Sequence, residues 1–368
     1  MKIVVDRDLL IDSLQLISNV VERRQTLPVL SNMRLIVKDG QLEMVGTDLE
    51  IELQASLTVN AESDGEITVP AKKISDIWRS LPSEQPIVME QVGDRLKIKS
   101  GGSSYSLSTI AVSEFPESLG DIEGESIEIN SEKFRRSVEE VAFAMAQQDV
   151  RYFLNGMLIE IGQGKIKLVA TDGHRLALTE MDVGASTHGG GESQKAIIPR
   201  KGVLELLKIL DGSEKFSLQI SDKLITVRSG NYQFTSKLVE GQFPDYNKVV
   251  PQGGGTELTI ERQSLREALQ RASILSNEKY RGIRLLVDKG SLKIQANNPE
   301  QEEAEEVLEI SYDGGGLEIG FNVSYILDVL GAISGSEAKL TLSDGNSSAL
   351  IEGLDDSNSL YVVMPMRL

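Results

Sequence analysis

Lys2-Ile3-Val4-Val5, followed by Leu10, Leu14, Ile17 and Val21, reads as a short apolar strand and then a helix with one buried face. Spacings of four and three residues put those side chains on a single helical stripe. The pattern is written twice more. Ile127-Glu128-Ile129 precedes Phe134, Val138, Val141 and Met145, and Leu258-Thr259-Ile260 precedes Leu265, Leu269 and Ala272. The three openings stand about 120 to 130 residues apart, a domain-sized period.

A second helix recurs later in each copy, after Val69-Pro70-Ala71-Lys72-Lys73, Ile198-Pro199-Arg200-Lys201 and Gly320-Phe321-Asn322-Val323. Its expected stripes are Ile74, Ile77 and Leu81; Val203, Leu207 and Leu210; and Ile326, Val329 or Leu330, and Ile333. Pro70 and Pro199 suit a helix entry, where the missing amide costs little. Between the helices lie strands such as Met33 to Val37, Met157 to Ile161 and Ile283 to Val287, with Gly-containing turns after them. Late in the first two copies, Ser100-Gly101-Gly102-Ser103-Ser104-Tyr105 matches Ser229-Gly230-Asn231-Tyr232-Gln233-Phe234, and both lead to a Phe-Pro turn. Boundaries fall at Glu123-Gly124 and Gln252-Gly253-Gly254-Gly255, giving domains 1–124, 125–255 and 256–368. The fold class is therefore α+β: three tandem copies of a unit with two helices and about eight short strands, the helices on one side of antiparallel sheet. A single doubly wound sheet is disfavoured, because strands outnumber helices and no Gly-rich turn follows the first strand.

The 368-residue chain has 38 Lys plus Arg against 56 Asp plus Glu, a net charge of −18. That argues against a basic domain coated with phosphate contacts, although a positive face can be outvoted by an acidic remainder. No cysteine is present, which removes disulfides, thiol catalysis and thiolate metal sites. The two histidines are His174 and His188, the latter in the linker-like Ser186-Thr187-His188-Gly189-Gly190-Gly191. No calcium-loop spacing appears, and no apolar run reaches about 18 residues, so neither a metal, a cofactor nor a membrane span is expected.

The expected helices carry much of the positive charge: Lys72, Lys73 and Arg79; Lys133, Arg135 and Arg136; Arg200, Lys201 and Lys208; Arg262, Arg266 and Arg271. The last helix departs, with Asp328 alone. Arg23 and Arg24, and in the second copy Gln148, Arg151 and Tyr152, would extend a positive face. Such a face suits phosphate contact without base reading; ordinary solvation of exposed helix surfaces is the other reading of the same charges. Glu300, Glu302, Glu303, Glu305 and Glu306 form an acidic run fit for a solvated edge or for pairing with a basic edge such as Lys72-Lys73 on another subunit. Catalysis has one candidate cluster, Thr171-Asp172-Gly173-His174-Arg175-Leu176, where Asp172 and His174 have acid–base chemistry. The first copy has Thr47-Asp48-Leu49-Glu50-Ile51 at the matching point, so an Asp-initiated turn explains the shared Thr-Asp, and His174 reads as a surface or pocket residue.

That cluster, with Phe243-Pro244-Asp245-Tyr246 and the terminal Tyr361-Val362-Val363-Met364-Pro365-Met366-Arg367-Leu368, closely resembles the bacterial sliding clamp family, the β subunit of DNA polymerase III. The resemblance spans the whole chain. It implies a non-enzymatic, cytoplasmic bacterial protein: a head-to-tail homodimeric ring around double-stranded DNA, without sequence specificity. It also implies partners that bind through short peptides: the replicative polymerase, an ATP-dependent clamp loader and other replication and repair proteins. The peptides carry leucine or phenylalanine anchors and a glutamine. Carried to this chain, their groove comprises Leu154, Thr171, Gly173, His174, Arg175, Leu176, Pro244, Lys248, Val249, Tyr280, Asn322 and Tyr325. Asn346, Ser348, Val362, Val363, Met364, Pro365, Met366 and Arg367 complete it. DNA-facing residues would be Arg24, Lys133, Arg136, Gln148, Arg151, Tyr152, Lys201 and Arg266; dimer residues Lys73, Tyr105, Ile274, Leu275, Glu300, Glu303 and Glu306. Lys248, Asn346 and Tyr280 depart from the family pattern in the groove, as do Gly102 and Ser104 at the subunit edge. A non-encircling peptide-binding scaffold is the competing reading.

Overall fold

The computed structural model describes residues 1–21, 27–124, 126–184, 193–251, 253–355 and 358–367. Arg23, Arg24 and His188 lie outside the described residues.

The first repeat runs β1 (Lys2–Val5), α1 (Arg7–Val20), β2 (Asn32–Lys38), β3 (Gln41–Thr47), β4 (Ile51–Thr58), β5 (Asn60–Ser63), β6 (Gly65–Pro70), α2 (Ala71–Ser80), β7 (Ile87–Val92), β8 (Arg95–Ser100) and β9 (Ser103–Ser108). The second has β10 (Ile127–Asn130), α3 (Ser131–Ala142), β11 (Gly156–Gly162), β12 (Lys165–Thr171), β13 (Arg175–Asp182), β14 (Gln194–Pro199), α4 (Arg200–Ile209), β15 (Lys215–Ile220), β16 (Leu224–Ser229) and β17 (Tyr232–Lys237). The third has β18 (Thr256–Glu261), α5 (Arg262–Ala272), β19 (Gly282–Asp288), β20 (Ser291–Asn297), β21 (Glu303–Glu309), β22 (Leu317–Asn322), α6 (Val323–Ala332), β23 (Glu337–Leu342), β24 (Ala349–Gly353) and β25 (Ser359–Val363). Element order repeats as the spacing predicts, with β5 an addition in the first copy.

By internal contacts the chain forms two compact units, Met1–Glu132 with Lys201–Leu238, and Lys133–Arg200 with Val239–Leu368. In the first unit one sheet has the order β5-β1-β7-β8-β9, and an eight-stranded sheet runs β10-β15-β16-β17-β4-β3-β2-β6. That larger sheet crosses repeats: β17 of the second pairs antiparallel with β4 of the first, Phe234 opposite Leu53. Helix α1 packs on β3 and β4 and against α2. The approach is close at Gly46, where an added Cβ would lie 2.6 Å from the Ile17 side chain and 3.2 Å from its carbonyl. The matching residues Ala170 and Ala296 are also small and buried.

In the second unit an eight-stranded sheet runs β14-β11-β12-β13-β25-β24-β23-β18, and a four-stranded sheet β21-β20-β19-β22. Again the last strand of one repeat joins the one before it, β25 pairing antiparallel with β13. This seam is fastened from α3: Glu140 Oε2 accepts hydrogen bonds from Thr179 Oγ1 (2.9 Å) and Ser359 Oγ (2.8 Å), residues that face each other across it. Helix α5 packs on β20 and β21 and against α6.

The core follows the expected stripes with two differences. In α2 the inward position beside Ile74 belongs to Trp78, while Ile77 is half-buried. In α4 the buried side is Val203, Leu206, Ile209 and Leu210, with Leu207 half-buried, because apolar residues nearly encircle that helix and spacing alone does not choose a face. Trp78 is fully buried, donates its indole N–H to the Arg7 carbonyl (2.9 Å), and receives Arg7 Nε on its own carbonyl (3.2 Å). Truncating this single tryptophan to alanine should cost about 3–5 kcal/mol of stability through the cavity left behind. Trp78→Phe, which mainly removes the hydrogen bond, should cost about 1–2 kcal/mol. Urea unfolding followed by circular dichroism measures both; equal midpoints for the two variants would refute the packing account.

Candidate functional site

The sharp turn between β12 and β13 is built by its own side chains. Thr171 Oγ1 donates to the Arg175 carbonyl (2.6 Å) and accepts from the Gly173 amide (3.1 Å). Asp172 Oδ1 accepts from the amides of His174 (2.9 Å) and Arg175 (3.0 Å), and its Oδ2 accepts from Arg175 Nε (3.1 Å). Gly173 takes φ 87°, a left-handed conformation that favours glycine. Asp172 thus works as a turn-maker with both oxygens engaged, and the His174 ring stacks on Tyr325 at 6.3 Å between centroids. The pair does not form the orienting contact that acid–base chemistry needs.

Behind this turn lies a cavity of about 240 Å³ in the second unit. It is lined by Arg151, Phe153, Leu154, Thr171, Gly173, Arg175, Leu176, Phe243, Pro244, Tyr246, Val249, Val362 and Met364. An apolar cluster of Leu158, Val169, Leu176, Leu178, Ile197, Tyr246 and Val362 shares Leu176, Tyr246 and Val362 with that lining. Nine of the lining residues are among those that the sequence resemblance assigned to a peptide groove. Sequence reasoning missed Phe153, Phe243 and Tyr246, and placed Arg151 on the DNA side only. Their signal was present: Phe243 and Tyr246 flank Pro244 in the quoted Phe-Pro string, and Phe153 precedes Leu154 in a 3₁₀ turn. Tyr246 donates to Glu160 Oε2 (3.0 Å), and burial together with that carboxylate pushes its hydroxyl pKa upward.

The chain's end ties the cavity to its surroundings. Val363 is buried in β25 opposite Arg175; the Met364 amide donates to the His174 carbonyl (2.9 Å) and the Met366 amide to Gly320 (2.7 Å). Pro365 and Met366 are half-buried, Arg367 exposed. Asn322 caps α6 by accepting from the Ser324 amide (2.9 Å). Tyr280 is exposed under the Lys279 ammonium, 5.1 Å from its ring. Lys248 pairs with Asp245 (3.3 Å), the Asn346 amide donates to Asp344 Oδ1 (2.8 Å), and Ser348 is half-buried. Tyr325 meets the cavity through Arg175, whose guanidinium lies 4.7 Å from its ring.

The cations divide between surface and structure. Lys133 and Arg136 are exposed on α3, Arg136 bonding Ser334 Oγ (2.6 Å) and Glu140 (3.3 Å). Lys201 instead turns to Asp48 and to the Val20 carbonyl. On α5, Arg262 caps Leu330 and Gly335 carbonyls, Arg271 chelates Glu306 (3.0 and 2.7 Å), and Arg266 is half-buried with no partner for its Nε. Several cations of the expected positive face are therefore engaged inside the chain. The segment 147–152 is braced differently: Gln148 has φ 57°, Asn155 bonds Asp149 in both directions, and Arg151 clamps Asp149, holding its carboxyl pKa down at about 2. That bracing presents Val150 and Tyr152 at 87% and 74% exposure. Of the expected subunit-edge residues, Lys73, Glu300 and Glu303 are exposed, Tyr105 and Leu275 half-buried, and Ile274 is 76% exposed.

Comparison with known proteins agrees with this architecture. Family models for the DNA polymerase III beta subunit match in order: the N-terminal domain at 1–119, the central domain at 128–245 and the C-terminal domain at 247–367. The beta sliding clamp of Pseudomonas aeruginosa is 49% identical over 373 residues, and that of Escherichia coli K12 is 46% identical over 371, each match covering 100% of both chains. A crystal structure of the P. aeruginosa subunit superposes with a TM-score of 0.95 over 100% of both chains at 49% identity, and a clamp of the same organism has been solved bound to griselimycin with the same score. With all three family domains matched in sequence and the fold shared end to end, this chain belongs to the DNA polymerase III beta subunit family, the bacterial sliding clamps.

Proposed function

We propose that two copies of this chain close head to tail around duplex DNA and hold the replicative polymerase there through short peptides seated in the cavity of the second unit. The role is that of a DNA sliding clamp, and the family is non-catalytic. The observation that carries the ring is the pairing rule of the repeats. The last strand of the second repeat pairs with β4 of the first, and that of the third with β13 of the second. Applied throughout, the rule leaves two strands over: β9, the last strand of the first repeat, and β21, the counterpart of β4 and β13 in the third. Both are sheet edges. An open edge is a template for another strand, and a head-to-tail contact that closes makes a ring. Carrying over the register that sets Gln233 opposite Gln54 puts Ser104 opposite Glu305 of the partner subunit. Ile274 and Leu275 would add apolar area beside that edge, with Lys73, Glu300 and Glu303 as charged neighbours, while Glu306 stays with Arg271.

Lys133, Arg136, Gln148, Arg151, Tyr152 and Arg266 would meet phosphates rather than bases, and few strong contacts favour sliding over capture. Opening the ring falls to an ATP-driven loader, and tethering raises the polymerase's local concentration at the primer end. Other replication and repair proteins would use the same cavity, in the bacterial cytoplasm. Domains near 1–124, 125–255 and 256–368 are the units of this assembly.

Because the chain has no cysteine, Ser104→Cys with Glu305→Cys tests the ring directly. Facing residues of antiparallel strands lie within disulfide reach. After loading on a nicked circle and mild oxidation, the double variant should stay on the DNA through denaturant and fall off once the circle is cut; equal retention on linear DNA would mean surface binding instead. For the cavity, Met364→Ala should weaken a labelled peptide bearing glutamine, leucine and phenylalanine by about tenfold, the worth of a 38% exposed methionine that the peptide would cover. Unchanged fluorescence anisotropy titrations would sink the peptide assignment.

A further inference from the structure

The turn that walls the cavity has a twin in the first repeat. Thr47 Oγ1 donates to the Ile51 carbonyl (2.8 Å) and accepts from the Leu49 amide (3.0 Å), and Asp48 Oδ1 accepts from the amides of Glu50 (2.9 Å) and Ile51 (2.8 Å). Each hydrogen bond has its counterpart in Thr171–Arg175, and Leu49 takes φ 77° where Gly173 takes φ 87°. Each turn is also clasped by a cation that joins its aspartate to a carbonyl at or just past the end of the repeat's first helix. In the first repeat the cation is Lys201 of α4, which reaches Asp48 and the Val20 carbonyl (3.0 Å). In the second it is Arg175 of the turn itself, which reaches Asp172 (3.1 Å) and the Phe143 carbonyl (2.8 Å).

The reversal has a consequence for the following repeat's second helix. At the first seam that helix supplies the cation; at the second, α6 supplies the anion, Asp328, whose Oδ2 accepts from Arg175 Nη1 at 2.5 Å. Asp328 is the charge that stands alone on α6 where the matching helices carry lysines and arginines. With it in place the Arg175 guanidinium is bound at all three nitrogens, lies between the Phe143 and Tyr325 rings (5.1 and 4.7 Å), and keeps only 11% of its side chain exposed. An arginine so committed orients the wall of the cavity rather than a ligand's polar groups.

We propose that Asp328, which does not line the cavity, is a positioning residue for peptide binding: it holds Arg175 against Tyr325 and so fixes the 172–175 turn and the His174 ring stacked beside it. The inference rests on reading the cavity as the peptide site. Asp328 is 47% exposed, so the pair is partly screened, and its loss should weaken peptide binding about two- to fivefold.

The test is a fluorescence anisotropy titration of the full chain with the same labelled glutamine–leucine–phenylalanine peptide. Asp328→Asn and Asp328→Ala should both lose that factor with thermal midpoints near the parent's, and Asp328→Glu, which can still reach Arg175, should recover most of it. In an Arg175→Gln background Asp328→Asn should change nothing further, the non-additivity of two residues acting through one contact. Parent-like affinity in Asp328→Asn, failure of Asp328→Glu to recover binding, or an equal loss in the Arg175→Gln background would each overturn the proposal. Absence of binding by the parent chain would instead overturn the peptide reading, and this inference with it.

Discussion

Strand pairing across repeats is the constraint on which the rest of the molecule depends. An unpaired strand edge leaves a row of buried-prone amides and carbonyls, and the second and third repeats each lend their last strand to the sheet of the repeat before. The joins β17–β4 and β13–β25 turn two half-sheets into continuous eight-stranded sheets. The cavity is a product of the second join: the turn before β13 forms one wall, and Val362 and Met364, at and just beyond the end of β25, form another. Were β25 paired elsewhere, neither wall would exist.

Both joins bury a carboxylate, which costs free energy unless it is fully hydrogen-bonded. Glu140 accepts from Thr179 and Ser359 at the second seam; Glu52 accepts from Gln54 (2.8 Å) and Ser118 (2.7 Å) at the first, where it faces Thr235 across the join. A polar staple of this kind contributes less to stability than to register. A slip of one residue would break these contacts and turn every side chain of the strand to the wrong face. At the first seam Glu52 occupies the position that Leu176 holds beside the cavity of the second, and the Ser118 segment closes over it.

The charge pattern follows a similar economy. A net charge of −18 sits beside helices rich in lysine and arginine, yet many of those cations serve the fold. Arg262 closes carbonyls at the end of α6, Lys201 and Arg175 clasp turns, and Arg271 binds Glu306. Even Arg136, exposed on α3 beside Lys133, bonds Glu140 and Ser334.

The threefold repeat, the two helices of each copy, the antiparallel character and the Asp-initiated turn are legible in the chain, because each rests on local periodicity or local side-chain-to-backbone bonding. The terminal Met-Pro-Met string and the Thr171–Leu176 cluster, through family resemblance, also located much of the cavity. What the local pattern could not contain was pairing partners. Nothing in residues 359–363 states that β25 joins β13, that Glu140 reaches Thr179 and Ser359, or that Arg175 and Lys201 are consumed in clasps rather than offered to a ligand. Phe153 and Tyr246 stand beside residues the resemblance named, yet an aromatic in a short turn reads as generic core until distant strands set it around a void. Those assignments depend on contacts between residues tens to hundreds of positions apart, and only the tertiary structure brings them within bonding distance.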